Sequence, residues 1–447
     1  MSRRKFLQQC SVVAAAGTWS RPQWLQGEAV ADHILHIAPM KLELAKGKIV
    51  ETLAYNGTVP GALLRMREGK QVTVDVFNDT DSMEFVHFHG LHIPADVDGS
   101  VDEGTPGIAA HGHQRYVFVA EPAGFRWYHT HTYAGKDLKK STYTGQFGFL
   151  MIESPENPAR YDQEIFLALH DWDPYLVSGD DGYEMVQYKY ASINDNLLGA
   201  AEPLRVRAGQ RVLLHIVNAS ATEVHTLALP NHKFTVVALD GNPVPFPKSV
   251  DQLQLAVAER IDAIVEMNHP GIWILGEVHD HLRKAGMGMV VEYANQQGKP
   301  QWVVPALMPW DYRQFGGTEA ALTPDETVPL VFRSKFAGYG DFDHWTINGK
   351  SFPKTDMVPL QRGKRYRLIF DNQSTDDHPV HLHRHSFELV RVNGQPTSGV
   401  VKDVVYVMAH TKVEVDFVAD NPGLTLFHCH QQEHMDRGFM MLLNYVG

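Results

Sequence analysis

Three stretches of the chain alternate apolar and polar residues with a period of two. Val72, Val74 and Val76 mark the first, Val212, Leu214 and Ile216 the second, and Tyr366, Leu368 and Phe370 the third. Successive side chains of an extended strand point to opposite faces, so each run predicts a strand with one buried face. All three are framed alike: "REGKQVTVDVFNDT" from Arg67, "RAGQRVLLHIVNAS" from Arg207 and "QRGKRYRLIFDNQS" from Gln361. Gly69, Gly209 and Gly363 stand nine residues ahead of Asn78, Asn218 and Asn372, a turn residue at each end of a strand. The Asn-x-Ser/Thr triplets that result read as strand-exit turns rather than glycosylation acceptors. Upstream come "YNGTVPG", "INDNLLG" and "INGKSFP"; downstream come "PAGFRWYHTH", "HPGIWILGEVHDH" and "NPGLTLFHCH".

The unit recurs after 140 residues (Gly69 to Gly209) and again after 154 (Gly209 to Gly363). That is too long for a solenoid repeat and fits three homologous domains of many short strands. The fold class is therefore all-β, as three consecutive Greek-key barrels or sandwiches. The first spans 32–155, the second 156–300 and the third 326–447, with a Pro/Gly-containing connector at 301–325. A chain of 447 residues accommodates that number. No apolar run reaches the length of a membrane span, and a net charge of −12 argues against a nucleic-acid partner. The opening "MSRRKFLQQCSVVAAAGTW" pairs Arg3 with Arg4 ahead of a modest apolar stretch, and "AVA" ends at residue 31. Residues 1–31 read as a twin-arginine signal, which predicts a periplasmic or otherwise exported protein. Removing them leaves Cys429 as the single cysteine and no internal disulfide. Metal ligation both protects such a thiol and gives it work.

Ten of the 25 histidines fall into four tight clusters: "HFHG" (His87, His89), "WYHTH" (His129, His131), "HPVHLHRH" (His378, His381, His383) and "HCHQQEH" (His428, His430, His434, around Cys429). Two clusters lie in the first repeat and two in the third. On a strand, residues i and i+2 share a face. Each His-x-His pair can thus send two imidazoles to one side, while Cys429 points to the other. His378 is an odd number of positions from His381 and His383 and joins Cys429's side, with His434 arriving from the loop beyond. Eight histidines, half from each end of the chain, suit a polynuclear cluster between the outer domains. A His2Cys set with a weak or missing axial ligand suits blue copper. A closed zinc site would use four ligands and leave at least half of these unexplained. His92, His111, His113 and His385 stand outside the scheme as surface or supporting residues.

On these four motifs together the chain resembles a three-domain multicopper oxidase of the laccase-like group, bacterial in type, over essentially all of the mature sequence. The resemblance implies three cupredoxin-like domains and four coppers per chain. His87 and His381 would hold the type 2 copper. His89, His129, His131, His383, His428 and His430 would hold the type 3 pair, and His378, Cys429 and His434 the type 1 copper. Asp98 in "VDG" matches the family's acidic residue implicated in handling protons, and Cys429 would carry electrons to its flanking histidines. The middle repeat has lost its set: Asp280 stands where Cys429 would be, Ala228 and Pro230 where His381 and His383 would be. Phe88 replaces the family's usual Trp. Met435 replaces a Glu that many bacterial relatives carry after the histidine matching His434, which puts one proton route in doubt. The axial position five residues after His434 is Phe439, a non-ligand, with Met440 next to it.

The implied reaction couples one-electron oxidation of phenolic or aromatic substrates to reduction of O2 to water. A metallo-oxidase acting on Cu(I) or another metal ion is the alternative, although no dense methionine run accompanies the 15 methionines. A copper-free scaffold relative is the reading from another class, and such relatives lose ligands that this chain keeps.

Overall fold

The three alternating runs are the strands Gln71–Asn78, Arg211–Asn218 and Arg365–Asn372. Each pairs in parallel with the first long strand of its own repeat: His33–Ala45, Gln163–Ser178 and Glu326–Lys335. The computed structural model describes residues 30–154, 160–178, 184–306, 308–338 and 343–446. All but the last two residues of the export signal expected at 1–31 therefore lie outside the described residues.

Each repeat folds as two sheets facing one another, and the three together make an all-β protein of three cupredoxin-like domains. The sheets have four and four strands in the first domain, six and five in the second, seven and five in the third. The smaller or second sheet of each holds one recurring antiparallel pair. It is Val86–His89 on Gly124–Thr130, then His225–Ala228 on Ile272–Glu277, then His378–Leu382 on Thr425–Cys429.

The repeated asparagines explain why the runs end alike. Asn78, Asn218 and Asn372 are buried, and a buried amide must have partners. Asn78 Nδ2 donates to the carbonyls of Ser82, Ile108 and Ala109, and its Oδ1 accepts from Thr80 N. Asn372 does the same with Asp376, Val407, Met408 and Ser374, and Asn218 with Glu223, Leu255 and Ser220. These side chains lock the turn that delivers the next strand, and they are closed to glycosylation.

Apolar packing joins the domains. Ala54, Trp127 and Phe147 of the first share a buried cluster with Ala168, Trp172 and Val217 of the second and Val404 of the third. The cores of the second and third domains run into one another.

One sequence expectation is corrected here. Cys429 lies opposite Val380, two residues past His378. In the middle domain the residue opposite Leu227, two past His225, is Glu277, not Asp280. Glu277 ends its strand, whereas Asp280 opens the helix Asp280–Ala285. The His279-Asp280-His281 triplet imitates His428-Cys429-His430 in letters but sits three residues further along the backbone.

Candidate metal centre

Strand alternation divides the "HCH" triplet between two sites. Cys429 Sγ lies 3.7 Å from His378 Nδ1 and 3.5 Å from His434 Nδ1, and the two nitrogens are 3.1 Å apart. His430 on one side of the cysteine joins His89 and His129; His428 on the other joins His131 and His383. His87 meets His381 and His89 in a further group, and Asp98 and His383 in another. Within each group the donor atoms lie within 4.8 Å of one another. All eleven sequence-predicted donors are thus brought together, eight around one buried space between the first and third domains and three beside it. The His-x-His pairs do share a face; 129/131, 381/383 and 428/430 divide their two rings between neighbouring groups, whereas His87 and His89 also meet in one.

The ring orientations come from the backbone. His87 Nδ1 donates to Asp98 O (2.7 Å), His129 Nδ1 to Thr130 O (2.7 Å), His381 Nδ1 to Asp403 O (2.7 Å) and His428 Nδ1 to Cys429 O (2.9 Å). A ring that donates through Nδ1 keeps its lone pair on Nε2. Nε2 of His87, His131 and His381 and both nitrogens of His430 are buried without a hydrogen-bond partner among the described residues. His378 is turned the other way, its Nε2 held by Ser374 Oγ at 2.9 Å, so that Nδ1 faces the sulfur. Gly99 permits the first of these contacts: at φ +103 it lies against the strand, and a Cβ there would come 2.0 Å from Val86 O.

Burial keeps the imidazoles of His89, His129, His131, His378, His381 and His428 neutral. Burial also lowers His383 to about 4, aided by His87 and opposed by Asp98, His430 to about 3, aided by His87, and His434 to about 3. Burial likewise pushes the Cys429 thiol up, so a thiolate here requires a cation beside it. Neutral rings with orphaned lone pairs and one thiol fit soft and borderline metals, copper among them.

Asp98 is fully buried, with Oδ2 2.7 Å from His383 Nδ1 and 3.2 Å from His87 Nδ1. Burial alone would raise it, but His87 and His383 outweigh that and hold it well below the carboxylate range. Glu103 Oε2 lies 2.9 Å from the same His383 nitrogen, and burial together with Asp98 pushes it well up. Sequence reading missed Glu103. It also missed Asp403, whose Oδ1 accepts from His89 Nε2 at 3.0 Å. Asp403 left a trace, a charge within the apolar run "VVKDVVYV".

Phe439 is buried with its ring 4.7 Å from that of His378 and 4.8 Å from Phe332. Its backbone ties the loop, donating to His434 O and accepting from Cys429 N. Met440 points away, packed with Leu426 and Met435, its sulfur 3.9 Å from Tyr133 Oη. Trp345 covers the rings of His434 and His378 at 4.2 and 4.7 Å. A cavity of about 10 Å³, room for one water, opens beside the histidines between Thr130, Thr142, Gln432 and Met435. A wider cleft, about 1250 Å³, is remote from them, between the first strand and the helix Asp280–Ala285. Of the four histidines set aside, His111 pairs with exposed Asp81, His113 stacks on Phe77, His92 meets Ser386 and His385 meets Tyr445.

The chain is 29% identical to the multicopper oxidase MmcO of Mycobacterium tuberculosis, over 91% of this chain and 86% of that protein. Its structure is similar to that of a multi-copper oxidase from Pseudomonas thermotolerans (26% identity, TM-score 0.74, 93% of this chain and 100% of the other). It also shares the fold of a laccase from Botrytis aclada (21% identity, TM-score 0.77, 92% and 87%). Three multicopper oxidase family models match residues 36–157, 164–294 and 325–446. With most of its length matched and its donor set intact, the chain belongs to the multicopper oxidase family.

Proposed function

We propose that the protein binds four coppers and acts as a laccase-like oxidase of phenolic and aromatic reductants, with O2 as acceptor. His87 and His381 hold the type 2 copper. His89, His129 and His430 serve one copper of the type 3 pair, and His131, His383 and His428 the other. His378, Cys429 and His434 would hold the type 1 copper, with the non-coordinating ring of Phe439 beside them. The observation that carries this reading is the division of residues 428–430 between two sites. When bound, copper supplies one-electron redox chemistry that four substrate oxidations can feed into reduction of one O2 to two waters.

The chain's own residues do the rest. Cys429 joins the two sites covalently, one residue from His428 and one from His430. Asp98 and Glu103 bracket His383 Nδ1 and can keep a proton at that atom beside the histidine cluster. Trp345 and Phe439 exclude water from the His2Cys site. The Arg3–Arg4 signal supports an exported location.

The test is copper per chain together with O2 uptake on phenols, Cu(I), Fe(II) and Mn(II). Phenols should support the fastest uptake; preference for a metal ion would make the protein a metallo-oxidase instead. His87→Ala should lower the copper count and collapse O2 uptake while the blue band persists and is still bleached by substrate. Uptake near wild type would remove His87 from the ligand set.

A further inference from the structure

Where the three domains meet, six charged side chains are sealed from water. They are Arg126 of the first domain, Asp240, Glu259 and Arg260 of the second, and Lys402 and Asp403 of the third. Positive and negative charges balance. Arg260 grips Asp403 with both arms, Nη1 to Oδ1 at 2.6 Å and Nη2 to Oδ2 at 2.5 Å. The guanidinium is itself fixed, donating to Ala258 O (3.1 Å) and Asp240 O (3.2 Å). Lys402 Nζ lies between Asp240 Oδ2 (2.9 Å) and Glu259 Oε1 (3.1 Å), and Arg126 Nη1 is 3.6 Å from Asp403 Oδ2.

Asp403 reaches two predicted copper ligands from two different domains. Its Oδ1 accepts the Nε2 proton of His89, and its carbonyl accepts the Nδ1 proton of His381. The first contact sets His89 apart. His87, His129, His381 and His428 donate through Nδ1 and offer Nε2. His89 donates through Nε2 and offers Nδ1, which lies 3.4 Å from His129 Nε2. A lone aspartate could swing about its χ2 torsion; a bidentate guanidinium fixes the carboxylate plane. The backbone after His89 leaves room for the clamp, since a Cβ on Gly90 would come 2.7 Å from Asp403 Oδ2 and 2.8 Å from Arg260 Nη2.

Stability alone does not account for the network. Taking charges out of water is costly enough that apolar packing of the same volume holds such a junction equally well or better. We propose that Arg260, from the domain that holds no copper ligand, is a positioning residue of the trinuclear site. Through Asp403 it fixes which nitrogen of His89 faces the metal, and it makes copper loading depend on docking of the middle domain. The inference rests on His89 and His381 being copper ligands.

Arg260→Lys keeps the charge and loses the fork. Asp403→Asn keeps an acceptor and loses the charge. Full-length wild type, both single variants and the double variant are loaded with copper and challenged with a chelator. Copper retained, blue absorbance and the unfolding midpoint are then read. Each single variant should keep its blue band yet hold the remaining copper about tenfold to a hundredfold less tightly, the range for removing a ligand's supporting partner. The double variant should lose no more than the worse single one, because both act along one path. A lowered midpoint with wild-type copper retention would overturn the proposal and leave the network a structural junction. Losses that multiply in the double variant would overturn it too. If Arg260→Lys does not fold, Asp403→Asn decides by the same copper readout. A wild-type protein that takes up no cluster copper would sink the ligand assignment; a loaded wild type matched by loaded, resistant variants would sink only this inference.

Discussion

In the third domain His378 stands 3.7 Å from the sulfur of Cys429, with His434 closing the group from the one-turn helix Gln432–Asp436. In the middle domain the same strand positions hold His225 and Glu277, 3.4 Å apart, and Leu282 stands where the strand-to-helix count places His434. The backbones are alike and the chemistry is opposite. Among the described residues His378 meets no counter-charge, and burial followed by the neighbouring His434 keeps it neutral. His225 is equally buried, but Asp171 at 2.9 Å and Glu277 outweigh that burial and push it up to about 10. It is a cation with no lone pair to give. A carboxylate in place of the thiol thus lets the protein neutralise the corner by itself, whereas the thiol needs a metal ion to become a thiolate.

Cys429→Ser should break the comparison most completely. It removes the soft ligand and the covalent link to His428 and His430, so the blue absorption and nearly all O2 uptake should vanish. A retained blue band would sink the type 1 assignment. Asp171→Asn attacks the other corner: a buried histidine loses a counter-charge, and breaking a buried pair costs roughly 3 kcal/mol. Chemical denaturation should show that loss with the blue band unaltered.

The same triad carries a pH signature. The folded value of His225, about 10, lies above its unfolded value near 6.5. Its contribution is therefore complete below about pH 6.5 and is lost as pH rises through about 10. Unfolding midpoints across that window should fall for wild type and stay flatter for Asp171→Asn. The smallest expected effect is Phe439→Met. A thioether beside His378 favours Cu(II) over Cu(I) and lowers the type 1 potential, where about 59 mV corresponds to a factor of ten in a one-electron equilibrium. Met440→Leu should leave the redox titration unchanged, because its sulfur lies by Tyr133. The reverse pattern would make Met440 the axial neighbour.

Strand period and turn chemistry are local, so the three-domain all-β plan and the face shared by each His-x-His pair were legible along the chain. So was the isolation of Cys429 from its flanking histidines, because alternation on a strand allows nothing else. Letter similarity misled where the backbone count mattered: His279-Asp280-His281 resembled the copper triplet, but hydrogen-bond register puts Glu277 in that place. Strand parity alone could not say which rings share a group, since that depends on how strands from 87, 129, 381 and 428 cross in space; only the family resemblance paired His87 with His381. Nor was the choice of nitrogen on each ring legible. Carbonyls of Asp98 and Asp403 and the carboxylate that Arg260 clamps make that choice, over separations of 11 to 314 residues. Residue identity supplies a donor and strand parity supplies its side. The tautomer and the partner are settled only when three domains close over the site and every buried polar atom has to find its mate.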